Sequence, residues 1–227
     1  MLSFPAVSAG KSIRGWSALR CMRHATMIHP IRSIFILAAC LATLSIRSAD
    51  ALIELKASDG TIKTPLTLKA DDKTKFTVLI FFLHDCPICN AYAPEIERIR
   101  SDFEAKGFTF YIVHTDPTIT VQTAQQHARE YSLKSTVLLD PTNRLAQKLG
   151  ATVTPQVAIV GAGERLLYLG RIDNLYADFG KRRPEATVRD LRAALTALAS
   201  GSPAPPAGGP AVGCFIPLPK SEPPHKN

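Results

Sequence analysis

Cys86-Pro87-Ile88-Cys89 is the stretch of this 227-residue chain whose residue types and spacing point most directly to covalent chemistry. Two thiols two residues apart, set on one helix, lie one turn from each other. Immediately before them runs Phe76–Leu83 (FTVLIFFL), continuously apolar and β-rich, which reads as a strand buried on both faces. Immediately after them, Asn90–Lys106 places Ile96, Ile99 and Phe103 at helical spacing and stops at Gly107. The pair therefore belongs at a strand-to-helix junction. A helix start offers unpaired N–H groups and roughly half a positive charge, which stabilise a thiolate. Thiols so placed typically fall from a pKa of about 8.5 to about 3.5–7.5. Cys86 is thus expected to meet solvent as the nucleophile. Cys89, one turn in and facing protein, is expected to keep a high pKa by desolvation and to resolve a mixed disulfide.

The pair has other possible uses. A structural disulfide between neighbouring turns closes a very short loop and removes little chain entropy. A zinc site needs about four ligands, and neither a second C-x-x-C nor an H-x₃-H is present. Copper is the stronger metal alternative, because thiolates suit Cu(I) and His84 or His114 could add a nitrogen.

The surrounding pattern alternates strands and helices. Leu52–Leu68 reads as one or two short strands about the turn Asp59-Gly60, and Phe108–His114 as a second buried strand. Helices are expected at Val121–Tyr131, Asn143–Leu149 and Thr187–Ala199, with a short strand at Ser135–Leu139. Gln156–Val160 and Leu166–Leu169 form an expected hairpin through Gly161-Ala162-Gly163-Glu164. The fold class is α/β: a central mixed sheet flanked by helices on both faces.

With strand, C-x-x-C, Pro94 eight residues after the first Cys, and Thr154-Pro155 before the next strand, residues 52–200 resemble the thioredoxin superfamily. Within it they are most similar to exported redoxins of the TlpA-like and AhpC/TSA-related kind. The resemblance implies a thioredoxin fold and thiol–disulfide oxidoreductase activity on protein thiols and disulfides, with an upstream redox partner and no organic cofactor. It implies catalytic roles for Cys86 and Cys89, and substrate binding through Pro87, Ile88, Thr154 and Pro155. Pro155 would be cis and face the disulfide, and Thr154 would pair with an extended substrate by strand addition.

The chain departs from its relatives in places. A peroxiredoxin site needs P-x-x-x-T-x-x-C, but Leu79 and Leu83 stand where Pro and Thr are required. A peroxiredoxin-like peroxidase using Cys86 with Cys89 or Cys214 is thus the alternative enzyme, and a copper metallochaperone the alternative from another class. Thioredoxin's buried acid is replaced by Ile80, and the Glu common in TlpA-like reductases by Tyr92. Asp85 and Glu95 read as solvated-face residues, and His84 as an electrostatic aid at most. Dithiol potentials span about −270 to −120 mV, so Pro87-Ile88 does not set one by analogy.

Charge and leader place the protein. Of 27 Lys and Arg residues, 6 lie in residues 1–51 against a single acid, and the remainder is close to balance. A nucleic-acid partner loses its support once that leader is set apart. Residues 33–46 (SIFILAACLATLSI) are apolar but shorter than the roughly 18–20 residues of a spanning helix. A basic start, this short run and Ser48-Ala49-Asp50-Ala51 read as a signal peptide cleaved after Ala51, with Met22 or Met27 as a start of more usual length. A lipidated Cys40 and a retained membrane anchor are the alternatives. All three put the domain in the periplasm or outside.

Residues 201–227 hold 8 of the 17 prolines and are expected to be extended or disordered. Cys214 stands there in an apolar island, Val212-Gly213-Cys214-Phe215-Ile216. An odd exported cysteine suggests a further redox thiol or intermolecular pairing. The tail is long enough to reach back to the C-x-x-C pair.

Overall fold

The computed structural model describes residues 53–67 and 74–217. The leader, residues 1–51, with its apolar run at 33–46, lies outside the described residues. In chain order the strands are β1 Leu55–Ala57, β2 Ile62–Lys63, β3 Phe76–Phe82, β4 Phe108–His114, β5 Thr136–Leu139, β6 Val153–Thr154, β7 Gln156–Gly161, β8 Arg165–Gly170, β9 Tyr176–Asp178, β10 Lys181–Arg182 and β11 Cys214–Phe215. The helices are α1 Pro87–Phe103, α2 Val121–Glu130, α3 Arg144–Leu149 and α4 Asp190–Ala199.

Among the described residues seven strands form one mixed sheet in the order β2-β1-β5-β4-β3-β7-β8. β3 pairs parallel with β4, Phe76 opposite Phe108 through Phe82 opposite His114, and antiparallel with β7. The uninterrupted apolar run of β3 follows from burial on both faces. Val78, Ile80 and Phe82 join a core with residues of α1, α2 and α4, while Leu79 and Phe81 join a second core with residues of α3. Strand side chains alternate, so a strand covered on each side needs apolar residues at every position.

α1 is the crossover between the parallel strands β3 and β4. It starts on Pro87, whose missing N–H costs nothing in the first turn, and contains Pro94. A 3₁₀ turn, Glu104–Lys106, then leads to Gly107 at φ 91°, a left-handed position that favours glycine.

Three local features depart from the sequence pattern. The C-x-x-C helix begins at Pro87 rather than Asn90. α4 begins at Asp190 rather than Thr187, because the Asn174 side-chain oxygen takes the N–H groups of Thr187 and Val188 at 2.8 and 2.9 Å. Strands β9 and β10, which have no apolar alternation, form a small separate antiparallel pair around Gly180.

The segment after Gly201 runs extended along the domain. Ala204 and Ala207 pack against the first core, and Ile216 is buried in the second. The Gly208 N–H donates to Asp190 Oδ1 at 2.6 Å, Arg171 Nε donates to Asp190 Oδ2 at 2.7 Å, and Asn143 Nδ2 donates to the Pro217 carbonyl at 2.8 Å. Proline-rich chain forms no internal ladder, so its order rests on these outside partners.

Candidate active site

Cys86 is the residue just before α1, at φ −80° and ψ 115°, with Pro87 following as the first helical residue. Its N–H reaches the Leu83 carbonyl and its carbonyl accepts the Asn90 N–H, so the turn out of β3 is closed by backbone alone. Asn90 adds side-chain ties. Its Nδ2 donates to the His84 carbonyl at 3.0 Å, and its Oδ1 lies 2.9 Å from His127 Nε2 on α2. These bonds join the cysteine loop to a neighbouring helix.

The Thr154–Pro155 peptide bond is cis, and the Thr154 carbonyl lies 3.7 Å from Cys86 Sγ. The loop before β7 therefore stands against the thiol pair. Pro87 is exposed, whereas Ile88 is only 5% exposed and packs into the core.

One expectation about Cys86 needs correction. Its thiol was expected to meet solvent, but the residue is 1% exposed. The cover is Cys214, whose Sγ lies 2.7 Å from Cys86 Sγ, from a position 128 residues later in the chain. β11 pairs antiparallel with β6, Cys214 opposite Thr154 and Phe215 opposite Val153. The pairing is extended by the Ile216 N–H on the Thr152 carbonyl at 3.0 Å. Thr154 Oγ1 also donates to the Cys214 carbonyl at 3.3 Å.

The three thiols differ electrostatically. A hydrogen bond from the Cys89 thiol, opposed by burial and reinforced by the Cys214 thiol and by the Cys89 and Cys214 N–H groups, holds Cys86 at about 5. Burial pushes Cys89 well above the ordinary thiol value, and the Cys86 sulfur adds to the rise. Burial, then the neighbouring Cys86, push Cys214 up to about 12. One thiolate is thus held between two protonated thiols, a stronger arrangement for anion stabilisation than neutral pairs. The helix start and the Cys89 thiol are legible in sequence; the Cys214 thiol is the donor the tertiary structure adds.

Tyr92, standing where relatives carry Glu, donates its hydroxyl to buried Asp173 Oδ1 at 2.5 Å, and burial with that carboxylate pushes the phenol up. Ile80 is fully buried. Asp85 is exposed, while Glu95 pairs with Arg98 at 2.7 Å and Arg192 at 2.9 Å on the protein surface side of α1. Arg171 is bound into the Asp190 pair that anchors the tail.

Three histidines gather beside the loop, with ring centroids 5.2 Å apart for His114–His127, 6.4 Å for His84–His127 and 6.5 Å for His84–His114. His84 Nδ1 lies 3.2 Å from Asp116 Oδ2. His114 is wholly buried with neither ring nitrogen hydrogen-bonded, and burial followed by the other two rings drives its pKa down to about 3. Among the described residues, no group of three or more His, Cys, Asp or Glu side chains is placed to hold a metal ion.

Asn90, His127 and Asp190 are positioning residues with no motif of their own, whereas Asp173 and Gly213 lie in the sequence stretches Arg171-Ile172-Asp173-Asn174 and Val212–Ile216. Asn90 carried a faint signal as a polar residue one turn into a helix that opens on thiols. Gly213 carried another, as a glycine inside an apolar island.

Sheet order, the helix after β3 and the cis proline before β7 define a thioredoxin-like fold. Residues 49–169 match the AhpC/TSA family, and the chain belongs to that family. Similar solved structures include a hypothetical protein of Sinorhizobium meliloti (21% identity, 74% of this chain and 92% of that one, TM-score 0.63). An uncharacterised conserved protein of Geobacillus kaustophilus is 24% identical over 75% of this chain and 90% of its own, with TM-score 0.59. A secreted Mycobacterium tuberculosis disulfide oxidoreductase is 22% identical over 51% of this chain and 80% of its own, with TM-score 0.43. No curated protein matches the chain.

Proposed function

We propose that this chain is an exported thiol–disulfide oxidoreductase that works on protein substrates through Cys86 and Cys89. The observation that carries the reading is geometric: Cys86 opens α1 with its sulfur between Cys89 and the Thr154 carbonyl. A substrate segment laid along β6 in place of β11 presents its sulfur to Cys86. The Cys86 thiolate attacks a substrate disulfide, forming a mixed disulfide and releasing one substrate thiolate. Cys89 then attacks Cys86 Sγ, closing the Cys86–Cys89 disulfide and releasing the second substrate thiolate, which takes up the Cys89 proton. Run backwards, the same steps oxidise a substrate dithiol. Pro87 offers exposed surface beside the reacting sulfur, and Thr154 with Pro155 supplies the backbone edge.

Export is supported by the basic, apolar, A-x-A pattern of the leader. Among the described residues no helix is long and apolar enough to cross a membrane. N-terminal sequencing of the protein from its native host is expected to begin near Leu52; a cytoplasmic species retaining residues 28–51 contradicts export.

Insulin reduction and alkylation kinetics test the chemistry. Cys86→Ser is expected to lower disulfide exchange by about a thousandfold or more, since a hydroxyl does not replace a thiolate nucleophile. Exchange that survives Cys86→Ser excludes the assignment. Rapid hydrogen peroxide consumption transfers the site to a peroxidase. Stoichiometric Cu(I) retention, lost when both cysteines become serine and unaccompanied by exchange, transfers it to a metallochaperone.

A further inference from the structure

The docked tail occupies the place a substrate would need. β11 takes the edge of β6 beside the cis proline, in antiparallel register, with a cysteine sulfur on the Cys86 sulfur. Alternation along the strand sends Cys214 to the redox pair, Phe215 outward at 82% exposure, and Ile216 into the second core. The approach is close enough to demand glycine before the cysteine. A Cβ on Gly213 would lie 1.8 Å from the Thr154 carbonyl oxygen and 3.2 Å from Pro155 Cδ. No L side chain fits there without moving the strand, and the obstacle is backbone rather than a flexible side chain.

We infer that Val212–Ile216 is a built-in occupant of the substrate edge, and that Cys214 is a third catalytic thiol exchanging with Cys86. The inference rests on the thiol-exchange reading of Cys86. After a protein disulfide has oxidised Cys86 and Cys89 and the substrate has left, the strand refills the edge. The Cys214 sulfur attacks Cys86 Sγ; the Cys86–Cys214 bond forms, the Cys86–Cys89 bond breaks, and the Cys214 proton passes to Cys89. No further oxidant is consumed, because the exchange moves one disulfide between two positions. The reverse attack by Cys89 restores the starting pair and frees Cys214. An incoming protein gains Cys86 when the tail strand leaves, and it must itself be extended with a residue of minimal bulk before its cysteine.

The full chain tests this with oxidised glutathione as probe. In Cys89→Ser, Cys86 should first take glutathione and then pass the bond to Cys214, releasing two glutathione thiols. Peptide mapping should find an intramolecular Cys86–Cys214 link in monomeric protein. Adding Gly213→Val should leave Cys86 glutathionylated and, in the reduced protein, speed Cys86 alkylation by about tenfold or more as the strand undocks. Retained glutathione on Cys86 in Cys89→Ser, or links found only between molecules, overturns the third-thiol role while leaving the dithiol reading intact. An alkylation rate unchanged by Gly213→Val overturns the cover. No reaction of Cys86 with glutathione in the parent overturns both readings together.

Discussion

Cys86 has two sulfur neighbours, and they are held in opposite ways. Cys89 is fully buried inside a 17-residue helix whose apolar side, Ile88, Tyr92, Ala93, Ile96, Ile99 and Phe103, is sunk in the first core. Removing it from Cys86 means disrupting that core. Cys214 arrives on a two-residue strand, held by β6, by one buried isoleucine and by the polar anchors at Asp190 and Asn143. Its segment is short and makes fewer core contacts than α1, so its local opening should cost less than global unfolding. The same thiolate is thus faced by one permanent partner and one removable partner. In the proposed mechanism, resolution and access are separated by the stability of the segments that carry them.

Removing each neighbour in turn should show the asymmetry. Ultraviolet thiolate absorbance against pH should give a Cys86 midpoint well above 5 in Cys89→Ala, because the largest hydrogen-bond contribution to the thiolate is lost. Cys214→Ala should raise the midpoint less, since its thiol ranks behind Cys89. With the lowered pKa, Cys86 is charged above its midpoint and loses that charge as pH falls through it, so both variants move the loss to higher pH. Equal shifts in the two variants would erase the distinction between the partners.

Core and tail should also differ in stability. Ile96→Ala, at a 1%-exposed position under Cys89, should cost roughly 2–5 kcal/mol by urea denaturation. Phe215→Ala, on the outward side of β11, should stay within about 0.5 kcal/mol. A large global loss from Phe215→Ala would make the tail part of the cooperative core.

The smallest effect concerns the tail anchor. Burial raises Asp190, but hydrogen bonds from Arg171 and the Gly208 N–H outweigh it and hold the carboxyl below its usual range. A carboxyl lowered on folding contributes above its unfolded pKa of about 3.9 and loses that contribution as pH falls through the folded value. Asp190→Asn should therefore weaken hydrogen-exchange protection of residues 204–217 at neutral pH while sparing α1. In the parent the same loss should appear only in acid. Equal loss in α1 and tail would mean that the anchor serves the whole domain.

The sequence by itself determined the framework of the redox site. An apolar run broken only by Thr77 had to be a strand covered on both faces, and i, i+3 apolar spacing after Cys89 had to be a helix. These regularities are local, since they repeat with the period of the backbone, and they place Cys86 at a helix start without a long-range contact. The Thr154-Pro155 turn gained its meaning from family pattern in the same linear order. What packs against that framework was decided only in three dimensions. The meeting of Cys86 with Cys214, the close approach of Gly213 to Thr154, the Tyr92–Asp173 bond and the Asn90–His127 bond join residues 37 to 128 positions apart. Such contacts leave no periodic trace, because they depend on which sheet edge remains free once the core has packed. The tail has no ladder of its own, so its single-strand order exists only where β6 and the domain surface supply the missing partners.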